Sequence, residues 1–248
     1  NCSSDVCASD LKIILNYQKK YPDKFKLHLH EKNIGAVANQ NSILKACTGK
    51  YIAICEGDDY WTDPYKLQKQ VDFLEKNEEY IMCHHRVDKL LTNGQIIKWD
   101  YTKYPITDKY DLAEGNHIAT LSCVYRNSSK VIEEISLLKN NKLGDYALFL
   151  ILSKYGKFYF INEPMGIYRD GIGVWSVCNN EKKINILLFE IDFWSNYFID
   201  DLKMVYKFNI QKSYLILELM KLNINSKSKF KELEKELKKL KIIPFEEL

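Results

Sequence analysis

The run Tyr51-Ile52-Ala53-Ile54-Cys55 is apolar and too short for a typical helix, and it stops at Glu56-Gly57-Asp58-Asp59. Such a run reads as a buried strand of a parallel sheet. This commits the chain to an α/β architecture, with the acidic segment at the strand's carboxyl end. Ligands of open α/β sheets bind beyond those ends. Three carboxylates held so close repel one another, which calls for raised pKa values or a bound cation. Gly57 removes a side chain where a phosphate could approach closely. Two readings follow from the residues. Either Glu56, Asp58 and Asp59 hold a divalent cation and through it a diphosphate, or the segment is a solvated acidic turn. Asp63-Pro64 then reads as an N-cap followed by proline at the first helical position. Leu67, Val71 and Leu74 recur at helical spacing. The local order is therefore strand, acidic loop with Tyr60 and Trp61, helix.

The flanking sequence extends this alternation. Residues 11–17 read as a helix broken at Tyr21-Pro22-Asp23, and residues 25–30 alternate as a half-buried strand does. Asn33-Ile34-Gly35 is a turn that caps a helix over residues 36–46. Strands are expected at residues 80–85, 124–126 and 157–161, a helix at 145–155, and a hairpin at Asn93-Gly94. Alternation of this kind predicts a mostly parallel sheet covered by helices on both faces. After Cys178 the pattern turns helical, over residues 184–198, 202–222 and 230–243. The expected division is an α/β domain over residues 1–177 and a helical extension over 178–248.

Composition narrows the function. The chain has 248 residues, 46% of them hydrophobic, enough for a sizeable core, and its formal charge of +3 points to no nucleic-acid partner. The 7 cysteines are odd in number and irregularly spaced, which fits a reducing, cytoplasmic setting. Cys55, Cys83 and Cys123 lie in apolar runs and read as core residues. The longest apolar run, residues 146–152, is too short to span a bilayer. His84 and His85 are adjacent on a strand and point to opposite faces, so they do not make a metal pair. Asp145 opens a helix, where the helix dipole alone favours an aspartate. Arg126, at a strand end, reads as a surface salt-bridge residue. The lysine-rich face near the C-terminus reads as a solvated helix face or as a contact for an anionic membrane leaflet.

Residues 56–74, EGDDYWTDPYKLQKQVDFL, resemble the family 2 glycosyltransferases of the GT-A fold with their D-x-D motif, and more narrowly bacterial members reading EGDDYW-x-D-P-x-K-L-Q-x-Q-V-x-F-L. Glu56 stands where the first aspartate commonly sits. The resemblance continues in Asn33-x-Gly35-x-x-x-Asn39-Gln40-Asn41, where Gln40 takes the place of an arginine. It also covers DLAEGNHIATLS at residues 111–122, Leu143-Gly144-Asp145-Tyr146, and a closing loop from Tyr168-Arg169 to Gly173-Val174-Trp175-Ser176. Asp170 follows Arg169 where the family often has a histidine.

The resemblance implies a GT-A sheet flanked by helices, lacking its first β-α-β unit, with residues 1–5 similar to the end of that unit. It implies Asp145 as general base and Glu56, Asp58 and Asp59 as holders of Mn²⁺ or Mg²⁺. Asn41, Arg169 and Trp175 would then serve the donor with those carboxylates, while Trp61, Asn116, His117 and Thr120 would face the acceptor. The expected reaction is inverting transfer of a sugar from a nucleotide-diphosphate sugar, UDP-linked, to a glycan or lipid-linked acceptor. The expected setting is cell-surface polysaccharide assembly at the cytoplasmic face of the membrane, with peripheral contact through the lysine-rich tail. Two other readings stand beside it. One is a non-catalytic nucleotide- or sugar-binding remnant of such an enzyme. The other is a metal-dependent nucleotidyltransferase, which would usually carry a glycine-rich basic loop near its start.

Overall fold

The computed structural model describes residues 4–99, 104–138, 141–173 and 175–240, with side chains from residue 11. The chain opens with α1 (Ser4–Lys20) and α2 (Ala36–Ala46), then enters the organising stretch as β1 (Tyr51–Ala53), β2 (Tyr60–Trp61) and α3 (Lys66–Lys76). It continues through β3 (Tyr80–Leu90), β4 (Ile96–Lys98), β5 (Ile106–Thr107), α4 (Lys109–Leu112) and β6 (Val124–Arg126). After α5 (Ser129–Leu137), α6 (Gly144–Leu152) and β7 (Lys157–Arg169) come the C-terminal helices α7 (Asn180–Tyr197), α8 (Leu202–Leu222) and α9 (Lys227–Lys239). Residues 241–243, expected to end the last helix, lie outside the described residues, as does Val174 of the closing loop.

The strands form one sheet in the order β1-β6-β3-β7-β2, with β4 on β3 and β5 on β7. The α/β character and the helical tail are as expected, but the sheet is not mostly parallel. Among the described residues only β3 and β7 pair parallel, while the other five pairings run antiparallel. The reason lies in the connections. β3 reaches β7 through a crossover that contains α5 and α6, as parallel neighbours require. β4 instead returns on β3 through the Asn93-Gly94 turn, with Gly94 at φ 84°.

The alternating residues 25–30 form no strand. Alternation marks a half-buried face, yet a strand also needs a neighbour to take its backbone hydrogen bonds. Only Phe25 and Leu27 of this segment are half-buried. β3 and β7 both run longer than their apolar cores suggest. Pro164 lacks an N–H and interrupts the ladder: pairing jumps from His85↔Ile161 to Arg86↔Pro164. Past this irregularity β7 carries Tyr168 and Arg169 toward the acidic loop.

The core is centred on α6, where residues 146–152 are all buried, as an all-apolar helix must be. One cluster joins α6 to Tyr125 and Phe158 of the sheet and to Ile191, Trp194, Phe198, Met204 and Phe208 of the tail. α9 packs Leu233 and Leu237 against Ile216 and Leu219 of α8. Its lysines Lys229 and Lys238 pair with Glu232 and Glu234 on the outer face. Among the described residues no helix is long and apolar enough to cross a membrane.

Candidate active site

The acidic loop leaves β1 and closes on itself where the Asp59 N–H donates to the Glu56 carbonyl at 3.1 Å. β2 then pairs with β7, Tyr60 opposite Ile167 and Trp61 opposite Gly166, which brings Arg169 alongside the loop. The Arg169 N–H donates to Asp59 Oδ1 at 2.9 Å, and its guanidinium donates to the carbonyls of Asp58 and of Gly57, the latter at 3.4 Å. Arg169 therefore clamps the loop from outside, and it does not line the cavity above.

That cavity has a volume of about 650 Å³. Of the residues singled out from sequence, Glu56, Asp58, Asp59, Asn116, Thr120, Asp145 and Trp175 line it together. The carboxylates at the end of β1 and the aspartate at the start of α6 thus share one hollow. Asn116 Nδ2 donates to Asp145 Oδ2 at 3.1 Å. The Thr120 side chain lies beside both Glu56 and Asp145, and its single hydroxyl proton serves one carboxylate at a time.

Other expected residues fall elsewhere. Trp61 donates its indole N–H to the Leu121 carbonyl at 2.8 Å, and the buried Lys66 ammonium sits 4.1 Å from its ring centroid. His117 bonds the Thr107 hydroxyl at 3.0 Å and meets the Tyr104 ring edge-on, supporting the wall from behind. Asn41 is half-buried on α2 outside the cavity lining. Arg126 makes no salt bridge among the described residues, and its guanidinium donates instead to the Tyr80 carbonyl and the Tyr51 hydroxyl.

Burial pushes Glu56 up to about 7, with the charges of Asp59 and Asp145 adding to it against hydrogen bonds from its own N–H and from Thr120. One of its oxygens, Oε2, is buried with no hydrogen-bond partner among the described residues. Burial likewise lifts Asp59 to about 6, against the Arg169 N–H. Asp145 is raised by burial, opposed by the N–H groups of Tyr146 and of Asp145 itself and by Asn116 and Thr120. A carboxylate raised in this way is a better proton acceptor than one free in water.

Among the described residues no three His, Cys, Asp or Glu side chains converge to hold a metal ion. Asp59 gives one oxygen to Arg169. The three carboxylates therefore do not build a closed protein cage. One feature does fit a cation that arrives with phosphate oxygens: Glu56 Oε2 lacks a hydrogen-bond partner among the described residues. Gly173 lets the Asp58 carboxylate come close, since a Cβ there would lie 2.9 Å from Oδ2 and crowd it. Mg²⁺ is commonly held in this manner, by one or two carboxylates plus substrate phosphates.

The site also uses residues to which the sequence reading gave little or no weight. Gln40 Nε2 donates to the Gly144 carbonyl at 3.1 Å, and a Cβ on Gly144 would collide with Gln40 Oε1. Gln40 thereby fixes the backbone next to Asp145, and its place in the Asn39-Gln40-Asn41 motif was the available signal. Lys183 of α7 and Gln211 of α8 also line the cavity. No local pattern marked either one.

The profile described as Glycosyl transferase family 2 matches residues 7–132, half of the chain, including the acidic loop, Asn116 and Thr120. The chain belongs to glycosyl transferase family 2. Within the family's reach, the uncharacterized protein Rv1520 of Mycobacterium tuberculosis is 33% identical over 178 residues, 69% of this chain and 50% of that protein. The uncharacterized glycosyltransferase MJ1057 of Methanocaldococcus jannaschii is 35% identical over 161 residues, 63% of this chain and 54% of its own length. The chain spans about half the length of these curated relatives. Residues 1–349 of TarS from S. aureus share the fold at a TM-score of 0.55 and 14% identity, over 82% of this chain and 57% of that one. The family 2 match stops short of Asp145 and of the closing loop, so their roles rest on geometry and on the resemblance.

Proposed function

We propose that this family 2 chain transfers a glycosyl group from a nucleotide-diphosphate sugar, UDP-linked, to a hydroxyl of a glycan or lipid-linked acceptor, with inversion. The observation that carries the reading is the one cavity that Glu56, Asp58, Asp59, Asn116, Thr120 and Asp145 line together. Asp145 takes the proton of the acceptor hydroxyl as its oxygen bonds to the anomeric carbon. The bond from that carbon to the phosphate oxygen breaks, and its electron pair leaves with the diphosphate. Attack from the face opposite the leaving group inverts the centre. Asn116 holds the Asp145 carboxylate in place through its amide. Asp58 and Glu56 would hold Mn²⁺ or Mg²⁺, which when bound supplies positive charge to the departing diphosphate. Gly173, Trp175 and Ser176 line the same cavity beside Asp58.

We place the reaction in cell-surface polysaccharide assembly at the cytoplasmic face of the membrane. The outer face of α9 offers lysines for peripheral contact with anionic lipid.

Release of the nucleoside diphosphate from a panel of nucleotide sugars, with Mn²⁺ or with EDTA, tests the reading. Asp145→Asn should lower transfer by about 10²–10⁴-fold and leave the melting temperature close to that of the parent. Full activity in this variant would dismiss Asp145 as the base.

A further inference from the structure

Lys183 meets the cavity from the start of α7 and lines it together with Asp58, Trp175 and Ser176. Its ammonium donates to the Ser176 carbonyl at 3.3 Å and lies 5.9 Å from the Trp175 ring centroid. Ser176 in turn stands near Asp58, since a Cβ on Gly173 would lie 2.9 Å from Asp58 Oδ2 and 3.8 Å from Ser176 Oγ. A cation and a carboxylate therefore border the same end of one hollow. Neither forms an ion pair among the described residues.

The other cation of the described lining is placed differently. Lys89 sits 3.9 Å from Asp170 Oδ2 and 4.0 Å from the Trp99 ring centroid, so its charge is already met. The stability of α7 does not account for Lys183 either. It falls in the opening turn of that helix, where the helix's own partial positive charge disfavours a cation. An ammonium has three donors, and the Ser176 carbonyl takes one. Five carboxylates, Glu56, Asp58, Asp59, Asp145 and Asp170, line the cavity against the two ammonium groups. An anion entering alone meets that negative excess. A cation entering alone leaves Lys183 without a partner. A divalent cation that carries a diphosphate satisfies both, with its charge toward Asp58 and its phosphate oxygens toward Lys183.

We propose that Lys183 binds the diphosphate of the donor, donating to a phosphate oxygen with the N–H groups that Ser176 leaves free. This rests on the transferase reading, which supplies the diphosphate. A fixed ammonium there also stabilises the charge that the diphosphate gains as its bond to the anomeric carbon breaks. Because the same ammonium holds the Ser176 carbonyl, the leaving group and the loop that carries Trp175 are fastened at one point. The C-terminal helices in this way supply a charge that the acidic loop cannot.

The test is calorimetric titration of the whole chain with three probes: Mn²⁺ alone, inorganic pyrophosphate with Mn²⁺, and pyrophosphate in EDTA. Lys183→Gln keeps an N–H for the Ser176 carbonyl and loses the charge. It should weaken Mn²⁺–pyrophosphate by on the order of tenfold or more, as loss of a charged donor does. It should bind Mn²⁺ alone as tightly as the parent chain or more tightly, because a positive charge has gone. Lys183→Arg should recover most of the lost pyrophosphate affinity. Lys182→Gln, exposed and outside this lining, makes the same charge change one residue away and should alter neither affinity. Pyrophosphate in EDTA should bind the parent chain more weakly than with Mn²⁺. Binding of no Mn²⁺–pyrophosphate by the parent chain overturns the proposal, and so does unchanged affinity in Lys183→Gln. Equal weakening of Mn²⁺ alone and of Mn²⁺–pyrophosphate overturns it too, since Lys183 would then act only by holding the loop. Failure of the transferase reading looks different. Full transfer by Asp145→Asn dismisses the base and leaves pyrophosphate binding, with its dependence on Lys183, in place.

Discussion

Glu56 holds its proton more tightly in the folded protein than in the unfolded chain. The stability it contributes is therefore complete below the ordinary glutamate value of 4.5 and is lost as pH rises through about 7. Asp59 acts with the same sign between 3.8 and about 6. Without divalent cation, the melting temperature of the protein should fall across this range, and Glu56→Gln, which cannot ionise, should flatten much of the fall. Differential scanning fluorimetry over pH checks this, and a parallel fall in the variant would assign the slope elsewhere. Raised carboxylates were expected from the string Glu56-Gly57-Asp58-Asp59, because like charges repel, but the larger cause is burial, which the string does not show. Lys66 was not legible in the same way. A lysine in an amphipathic helix reads as solvated, yet its ammonium is buried against Trp61 without a hydrogen-bond partner among the described residues, and burial lowers it to about 8. Pairing across a fold is a tertiary fact that helical periodicity does not carry.

Among the elements, α3 and its surroundings depend on a single cation. Arg126 at the end of β6 donates to the carbonyls of Leu74 and Asn77 at the C-terminal end of α3, to the Tyr80 carbonyl at 3.0 Å and to the Tyr51 hydroxyl at 3.2 Å. A positive group is favoured at a helix C-terminus, where free carbonyls gather. Arg126→Met should destabilise the fold by about 2–4 kcal/mol, given several bonds to a charged donor and the orphaned carbonyls left behind. Arg126→Lys should restore part of this, because an ammonium lacks the planar fork. Urea denaturation of the three proteins checks both statements, and equal midpoints would remove Arg126 from this role. β1, α3, α6 and the Asn93-Gly94 hairpin were readable because each is specified by its own residues. The direction of strand pairing was not, since an apolar run says nothing about its neighbour. Residues 25–30 have the alternation of a strand without a ladder to join.

At the scale of the molecule, the tail and the α/β part share one core. The amphipathic character of α9 was plain in sequence, but the object its leucines cover was not. They face α8, which leaves lysines on the outside. The proposed membrane contact through α9 would then be electrostatic. Co-sedimentation should occur with anionic vesicles at low salt, vanish at about 1 M salt, where the Debye length is about 3 Å, and not occur with neutral vesicles. Pelleting with neutral vesicles would point to apolar side chains outside α9, such as the exposed Leu222 and Ile224, and absence of pelleting with anionic vesicles would end the proposed membrane contact.

Glu190, buried on α7, takes hydrogen bonds from the Trp194 indole at 3.1 Å and from the Lys142 N–H, just ahead of Asp145. The strut that steadies the tail thus also holds the backbone leading to Asp145, the proposed proton acceptor. Exchanging the last three helices would therefore loosen the start of α6 unless the incoming helix brought a carboxylate to the same place.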